Sequence, residues 1–334
     1  MEPHNPSPLL TVEDLRVRFH TRDGVIHALN GIGFDLKPRE TLGIVGESGC
    51  GKSVLSLAVM GLIPTPPGRI ASGRICLDGR DLLSLGRRQM RRIRGNEVAM
   101  IFQEPMTSLN PVFTIGQQIV EVIKLHQGLD ARKASAKAAE YLDLVRIPEA
   151  RRRMDQYPHE MSGGMRQRAM IAMALSCEPK VLIADEPTTA IDVTIQAQIL
   201  GLIAQLKKQI DTAIIMITHD LGVVAETADR VMVMYAGSKL EEAPVGSLFS
   251  QPRHPYTQGL MASLPRIDTP VKGAGARVRL QEIPGSVPSL KQPPEGCTFA
   301  QRCHMAQARC KKEIPALERI APGHWVACWR AMET

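Results

Sequence analysis

GIVGESGCGKSVLSLAVMGLI, residues 43–63, decides the fold. A strand-length apolar run is cut by Gly46, Gly49 and Gly51, a lysine and a serine follow, and the chain then resumes as an apolar helix. Gly46-Glu47-Ser48-Gly49-Cys50-Gly51-Lys52-Ser53 fits the pattern G-x-x-x-x-G-K-[ST] between a buried strand and a helix, which is the layout of a phosphate cradle. Glycines let successive backbone N–H groups turn inward without a side-chain clash, and the following helix aims its positive dipole end at the same point. Lys52 is then placed to reach the β- and γ-phosphates, and Ser53 to hold Mg²⁺. A glycine-rich turn that binds nothing is the competing reading, and the strand before and helix after weigh against it.

Working outward, short apolar segments recur at 42–45, 98–102, 181–184 and 213–217, each compact enough to be a strand buried on both faces. Together they predict a parallel sheet wrapped by helices. Residues 9–39 instead alternate apolar and polar positions around RDG and NG turn signals, which predicts antiparallel strands at the start of the domain. Between 103 and 161 the period becomes helical, as in IGQQIVEVIKLHQG, so a helical subdomain is expected over about 104–162. Nine prolines between 244 and 294 discourage long regular elements and suggest a boundary, with one domain over 8–245 and an extension over 246–334. No internal repeat or low-complexity tract is visible.

The second apolar strand ends in VLIADEPTTAID. Four apolar residues precede Asp185, which sets its carboxylate at the strand's C-terminal end, where it can organise Mg²⁺. Glu186 follows directly, placed to polarise or deprotonate a water attacking the γ-phosphate. An acidic pair that merely caps a strand is the plainer alternative.

Composition narrows the field. The 334 residues are 44% apolar, which is ordinary for a globular chain, and no apolar run approaches the ~20 residues of a membrane span. The N-terminus lacks a basic patch followed by an apolar stretch, so a signal peptide is not expected. The net charge of +7 concentrates in GRRQMRRIRG, residues 86–95, on an expected helix. Without interleaved aromatics to stack bases, that run reads as a solvated face, and no nucleic-acid partner is expected. Cys50, inside the cradle, is expected to be reachable by thiol reagents when nucleotide is absent, whereas Cys76 and Cys177 read as small buried hydrophobes.

Four of the seven cysteines, Cys297, Cys303, Cys310 and Cys328, fall in the last 38 residues. Their C-x5-C-x6-C-x17-C spacing differs from the C-x2-C knuckles of zinc ribbons. A cluster accepts irregular spacing better, so iron and sulfide lead, with zinc or unrelated free thiols left open. His304, beside Cys303, reads as a surface residue, with a place among the ligands as the alternative.

MSGGMRQR, residues 161–168, lies shortly before LIADEPTTAID and resembles the signature motif of ATP-binding-cassette (ABC) ATPases. Other family elements follow in order: Gln103 in IFQEP, Ala190-Ile191-Asp192 as a D-loop, and His219 in ITHDL. The resemblance covers about 9–244 and implies an α/β P-loop NTPase core, a RecA-like parallel sheet with an N-terminal antiparallel β subdomain and a helical insertion. It implies that Ser162, Gly163 and Gly164 close over a nucleotide held by the other subunit's phosphate loop, with Asp192 at the same interface. By the same resemblance Gln103 reaches the metal and water, His219 contacts the γ-phosphate, and Phe19 is the platform for adenine, unless it is simply a strand-face aromatic. A plain helix N-cap is the alternative for Ser162. Met161 and Met165 depart from the family's usual leucine and glutamine, and Ile191 from its leucine.

The tail resembles the C-terminal extension of the dipeptide, oligopeptide and nickel importer subfamily, whose members with four such cysteines carry a [4Fe–4S] cluster. That resemblance implies ATP and Mg²⁺ as cofactors and a sister ATPase subunit in a heterodimer. It further implies two transmembrane permease subunits, a separate solute-binding protein, and a peripheral location on the cytoplasmic face of the bacterial inner membrane. The implied activity is ATP hydrolysis that powers import of di- or oligopeptides. Nickel or another small solute is the alternative cargo, and a soluble ABC ATPase outside transport is the more distant alternative.

Overall fold

In a computed structural model, residues 7–103, 108–187, 193–263 and 282–332 are described. The chain opens on a hairpin, β1 (Leu10–Thr21) and β2 (Gly24–Leu36), whose antiparallel register runs from Leu10 opposite Leu36 to Thr21 opposite Gly24. Gly24 adopts φ +122°, which a tight turn asks of a residue without a Cβ. On its other edge β1 pairs with β4 (Gly68–Leu77), which pairs in turn with the short β5 (Arg80–Asp81), giving a four-stranded antiparallel sheet. Its inner face is Leu10, Val12, Leu15, Val17, Ile75 and Leu77, all nearly inaccessible.

The second sheet carries the anticipated parallel strands. β3 (Thr41–Val45) runs beside β8 (Ala213–Ile217), β8 beside β7 (Val181–Asp185), and β7 beside β6 (Val98–Ile101), all parallel. Every residue of β3, β7 and β8 is buried, because helices cover one face and the antiparallel sheet the other. Four further strands extend it on the other side. β9 (Arg230–Tyr235) joins β3 in parallel, and β10 (Ser238–Pro244) turns back along β9. β12 (His324–Val326) and β11 (Glu318–Ala321), from the C-terminal segment, complete the order β11-β12-β10-β9-β3-β8-β7-β6.

Two helices cover the central strands near the phosphate loop, α1 (Lys52–Val59) directly after it and α2 (Arg87–Ile93). In α2 Met90 and Ile93 turn inward while Arg87, Arg88, Arg91 and Arg92 are exposed, as the sequence pattern predicted. The helical stretch comprises α3 (Ile115–Gln127), α4 (Ala131–Leu144), α5 (Ala150–Arg153) and α6 (Gly163–Leu175). α3 begins on a capping box, the Thr114 hydroxyl accepting from the Gln117 N–H at 3.2 Å and Gln117 Oε1 from the Thr114 N–H at 2.9 Å, and it stops at Gly128, φ +64°. Ile115, Ile119 and Ile123 form its buried stripe and meet Ala134, Ala138 and Leu142 of α4 in one core. Then come α7 (Val193–Ile210), α8 (Leu221–Thr227), α9 (Val245–Ser250) and α10 (Pro255–Ala262). Among the described residues no helix is long and apolar enough to cross a membrane.

The C-terminal segment is welded to the sheet. Glu241 of β10, fully buried, accepts from the backbone N–H groups of Arg253 (2.8 Å) and His254 (2.9 Å) and pairs with His324 Nε2 at 2.7 Å. Tyr235, Tyr256 and Phe299 pack as a triangle of rings with centroids 4.7–5.3 Å apart, joining β9 and α10 to the cysteine-bearing loop.

Candidate nucleotide site

The phosphate loop, residues 46–53, occupies the gap between the C-terminal end of β3 and the start of α1. Gly46 sits at φ +154°, and a Cβ there would lie 2.1 Å from the Met234 carbonyl oxygen, so only glycine fits. A Cβ on Gly51 would fall 2.7 Å from the Ala28 oxygen. Lys52, 6% exposed, donates Nζ to the carbonyl oxygens of Gly46 (2.7 Å) and Glu47 (3.1 Å), which holds its ammonium inside the curve of the loop. Ser48, Gly49 and Ser53 face outward at the rim. Cys50 does not: its side chain is fully buried, and burial pushes its thiol up against the opposing pull of Lys52. The anticipated access of thiol reagents is therefore corrected, because the loop turns Cys50 into the core beneath Gly46. Cys177 is buried as expected, whereas Cys76 is only half-buried.

Parallel strands bring their C-terminal ends to one edge, and the chemical residues gather there. Asp185 ends β7 at 3% exposure. Burial pushes its carboxyl above the usual carboxylate range, the nearby Ser53 hydroxyl pulls the other way, and Glu186 adds to the rise. Its Oδ1 has no hydrogen-bond partner. A buried carboxylate with an orphaned oxygen beside a loop hydroxyl is a hard oxygen donor set, and it fits Mg²⁺.

Glu186 takes the left-handed conformation, φ +47°, with its N–H donated to the Ile217 oxygen at 2.8 Å. That turn aims its carboxylate along the edge. Gln103, just beyond β6, donates Nε2 to Glu186 Oε2 at 2.9 Å, and His219, just beyond β8, sets Nδ1 3.4 Å from Glu186 Oε1. Residues from two different strand ends, Gln103 and His219, thus meet on the one carboxylate of Glu186.

Ser162 caps α6, its hydroxyl accepting from the Met165 N–H at 3.3 Å. Ser162 and Gly163 are exposed, and a Cβ on Gly163 would meet nothing within 4 Å, so the turn presents open backbone N–H groups. Gly164 is half-buried behind them. Among the described residues no hydrogen bond joins 162–164 to 46–53. The departures Met161 and Met165 pack into the helical core, which accounts for their apolar character. Phe19 lies half-buried on β1 opposite Ile26 and Gly68, packed against the core. Asp192 and the rest of the anticipated D-loop fall outside the described residues.

In the tail, Cys297, Cys303, Cys310 and Cys328 line one small pocket together with His254. Burial pushes the Cys297 thiol up to about 11, the other three cysteines adding to the shift, and raises Cys303 as well. Among the described residues, however, no three His, Cys, Asp or Glu side chains are arranged to hold a metal ion. The four thiols share a cavity without forming a ligand set as they stand. His304 is exposed, as anticipated.

The structure adds contacts that no sequence pattern announced. Arg302 reaches the Glu47 carboxylate, and the Tyr256 hydroxyl accepts the Glu47 N–H. Partners 255 and 209 positions apart leave no periodic or motif signal to find them by.

Comparison with known proteins agrees with this geometry. Residues 29–189 match the family model described as ABC transporter, and residues 240–310 that of the oligopeptide/dipeptide transporter C-terminal region. The chain is 55% identical to a probable peptide ABC transporter ATP-binding protein of Sinorhizobium fredii, over 97% of this chain and 96% of the relative. It is 51% identical to an oligopeptide transport ATP-binding protein of Bacillus subtilis, over 96% of this chain and 88% of the relative. A solved dimeric ATP-binding cassette, bound to ADP and phosphate, shares the fold at TM-score 0.64 and 24% identity, covering 71% of this chain and 98% of that one. The phosphate loop, the strand-edge cluster around Glu186 and both family matches lead to one assignment: the chain belongs to the ATP-binding proteins of ABC transporters, in the branch that carries the oligopeptide/dipeptide transporter C-terminal region.

Proposed function

We propose that this chain is the ATP-hydrolysing subunit of a bacterial importer of di- or oligopeptides, with nickel or another small solute as the alternative cargo. The observation that carries the hydrolytic reading is the meeting of Gln103 and His219 on the Glu186 carboxylate. The peptide cargo rests on the names of the relatives and on the matched C-terminal region. Residues 46–53 bind the triphosphate, Lys52 leaving its carbonyl partners for the β- and γ-oxygens. Ser53, Asp185 and Gln103 hold Mg²⁺, which when bound offsets charge on the phosphate oxygens. Glu186 takes the proton of the attacking water, and His219 steadies the γ-phosphate. Phe19 stacks on adenine.

The exposed Ser162-Gly163-Gly164 turn serves a nucleotide held by a partner subunit, in a heterodimer with a sister ATPase and with Asp192 at the same interface. Phe102, Val112 and Phe113, on either side of Gln103 in the chain, are exposed large apolar side chains and support a contact with permease helices. A location on the cytoplasmic face of the inner membrane, and a separate solute-binding protein, follow from that role. Residues 8–245 act as the motor, 104–162 as its helical arm and 246–334 as the extension. For the four tail cysteines the proposal is a [4Fe–4S] cluster, with zinc as the alternative; the pocket they share supports it, although the thiols must draw closer than they stand to ligate a metal. Iron and sulfide analysis of the purified protein, with loss of any visible absorbance in Cys303→Ser, tests it, and a colourless zinc protein decides for zinc.

Glu186→Gln is the central experiment. Hydrolysis is expected to fall by roughly 10²–10⁴-fold while MgATP still binds. Brisk turnover in that variant assigns the base elsewhere.

A further inference from the structure

The phosphate loop is gripped by the far end of the chain. Arg302 Nη1 donates to both carboxylate oxygens of Glu47, at 3.0 and 2.8 Å, and to the Tyr235 hydroxyl at 3.2 Å. Its remaining donors are tied down behind it, Nε to the Pro284 oxygen at 2.9 Å and Nη2 to the Ile283 oxygen at 3.0 Å. The guanidinium is therefore spent on fixed partners and its side chain is only 7% exposed. The peptide unit is held as well. The fully buried Tyr256 accepts the Glu47 N–H at 2.9 Å, and Lys52 takes the Glu47 carbonyl at 3.1 Å. Thus the second residue of the loop is fixed at N–H, C=O and side chain, two of the three by residues beyond position 250.

Charge gives this clamp a direction. Glu47 carries a carboxylate on the loop that takes a polyanion, and left unpaired that charge opposes the triphosphate. Arg302, its side chain 7% exposed, donates to both oxygens from one nitrogen and offsets that charge at close range. Pinning the backbone adds preorganisation, since a loop already held in shape loses less freedom on binding.

We propose that Arg302 is a positioning residue for the nucleotide: it neutralises Glu47 and, with Tyr256, holds the phosphate loop in shape, so the C-terminal segment sets the affinity of its own chain's ATP site. The inference rests on residues 46–53 being that site. It deepens the proposed function by assigning the extension a task inside the motor.

The test is equilibrium binding of MgATP and MgADP to the full-length chain by calorimetry. Arg302→Gln is expected to weaken MgATP about tenfold, and MgADP less, because the repulsion scales with ligand charge. Adding Glu47→Gln to Arg302→Gln removes the stranded carboxylate and is expected to tighten MgATP at least about threefold over Arg302→Gln, the rest of the loss being the missing hold on the loop. A purely structural arginine gives no such rescue. Unchanged binding in Arg302→Gln, equal losses for MgATP and MgADP, or a double variant no better than the single each overturn the proposal. If Arg302→Gln does not yield folded protein, Glu47→Gln alone decides: with the loop's negative charge gone and Arg302 left uncompensated next to it, MgATP binding is expected to tighten, and unchanged or weaker binding overturns the proposal. A wild-type chain that binds no MgATP would instead remove the nucleotide reading itself.

Discussion

Cys50 shows how much a single residue's fate depends on backbone that its neighbours dictate. Gly46 and Gly51 adopt positive φ and press against carbonyl oxygens of β9 and β2, so the loop rolls Cys50 inward and leaves Ser48, Gly49 and Ser53 outside. A buried thiol whose proton is held by burial is a poor nucleophile. In native protein Cys50 should therefore resist N-ethylmaleimide equally with and without MgATP and become labelled only on denaturation, as peptide mass spectrometry can check. Lys52, Ser53, Asp185 and Glu186 were legible because each sits at a fixed offset from a strand or a glycine pattern, whereas Gln103 and His219 were singled out only through the family resemblance. The orientation of Cys50 was not legible, because a residue type says nothing about which way a loop turns it. Arg302 was hidden for a different reason: its partner is 255 positions away, and nothing local to either residue encodes the pairing.

Among the elements, β10 is the informative case. The parallel strands β3, β6, β7 and β8 announced themselves as unbroken apolar runs, and α3 by its isoleucine stripe and caps. β10 reads SKLEEAP, with two adjacent glutamates that pattern reasoning assigns to a surface loop, yet both are buried. Glu242 is neutralised by Arg230 at 2.5 Å, and by Lys239; Glu241 takes two backbone N–H groups and His324. Buried charge that is fully paired masks a strand from hydropathy, which is why this edge of the sheet was not legible. It also makes Glu241 a tie between β10, the start of α10 and β12. Glu241→Ala strands three donors in the interior and is expected to cost about 3 kcal/mol of stability, measured by urea unfolding. A cost near that of an exposed residue would mean the tie is idle.

At the scale of the whole molecule, the sequence made the motor legible and left the attachment of its tail obscure. Motor elements are ordered motifs, each with a short-range reason for its residues. The tail's strands β11 and β12 are only four and three residues long, and they form a hairpin of which β12 alone returns to β10, far back in the chain, so only the folded sheet reveals them. The exposed N-terminus of α6, unconnected to the phosphate loop of the same chain among the described residues, argues the dimer at this scale. In the Glu186→Gln background, MgATP is expected to shift the protein, alone or mixed with the proposed partner ATPase, to a larger species in size-exclusion chromatography. Replacing Ser162 with Arg should abolish that shift while leaving nucleotide binding to each separate chain within about twofold, since a bulky cation blocks the interface and not the loop.

The continuous sheet has one further consequence. β10 is an inner strand only because β12 lies alongside it. A shortened protein ending after the motor would expose a row of unpaired amide and carbonyl groups next to the bare carboxylate of Glu241, an invitation to stick to its own copies. Evolution could thus elaborate or trim the tip of the tail, but discarding its returning strand would leave the engine with a raw seam.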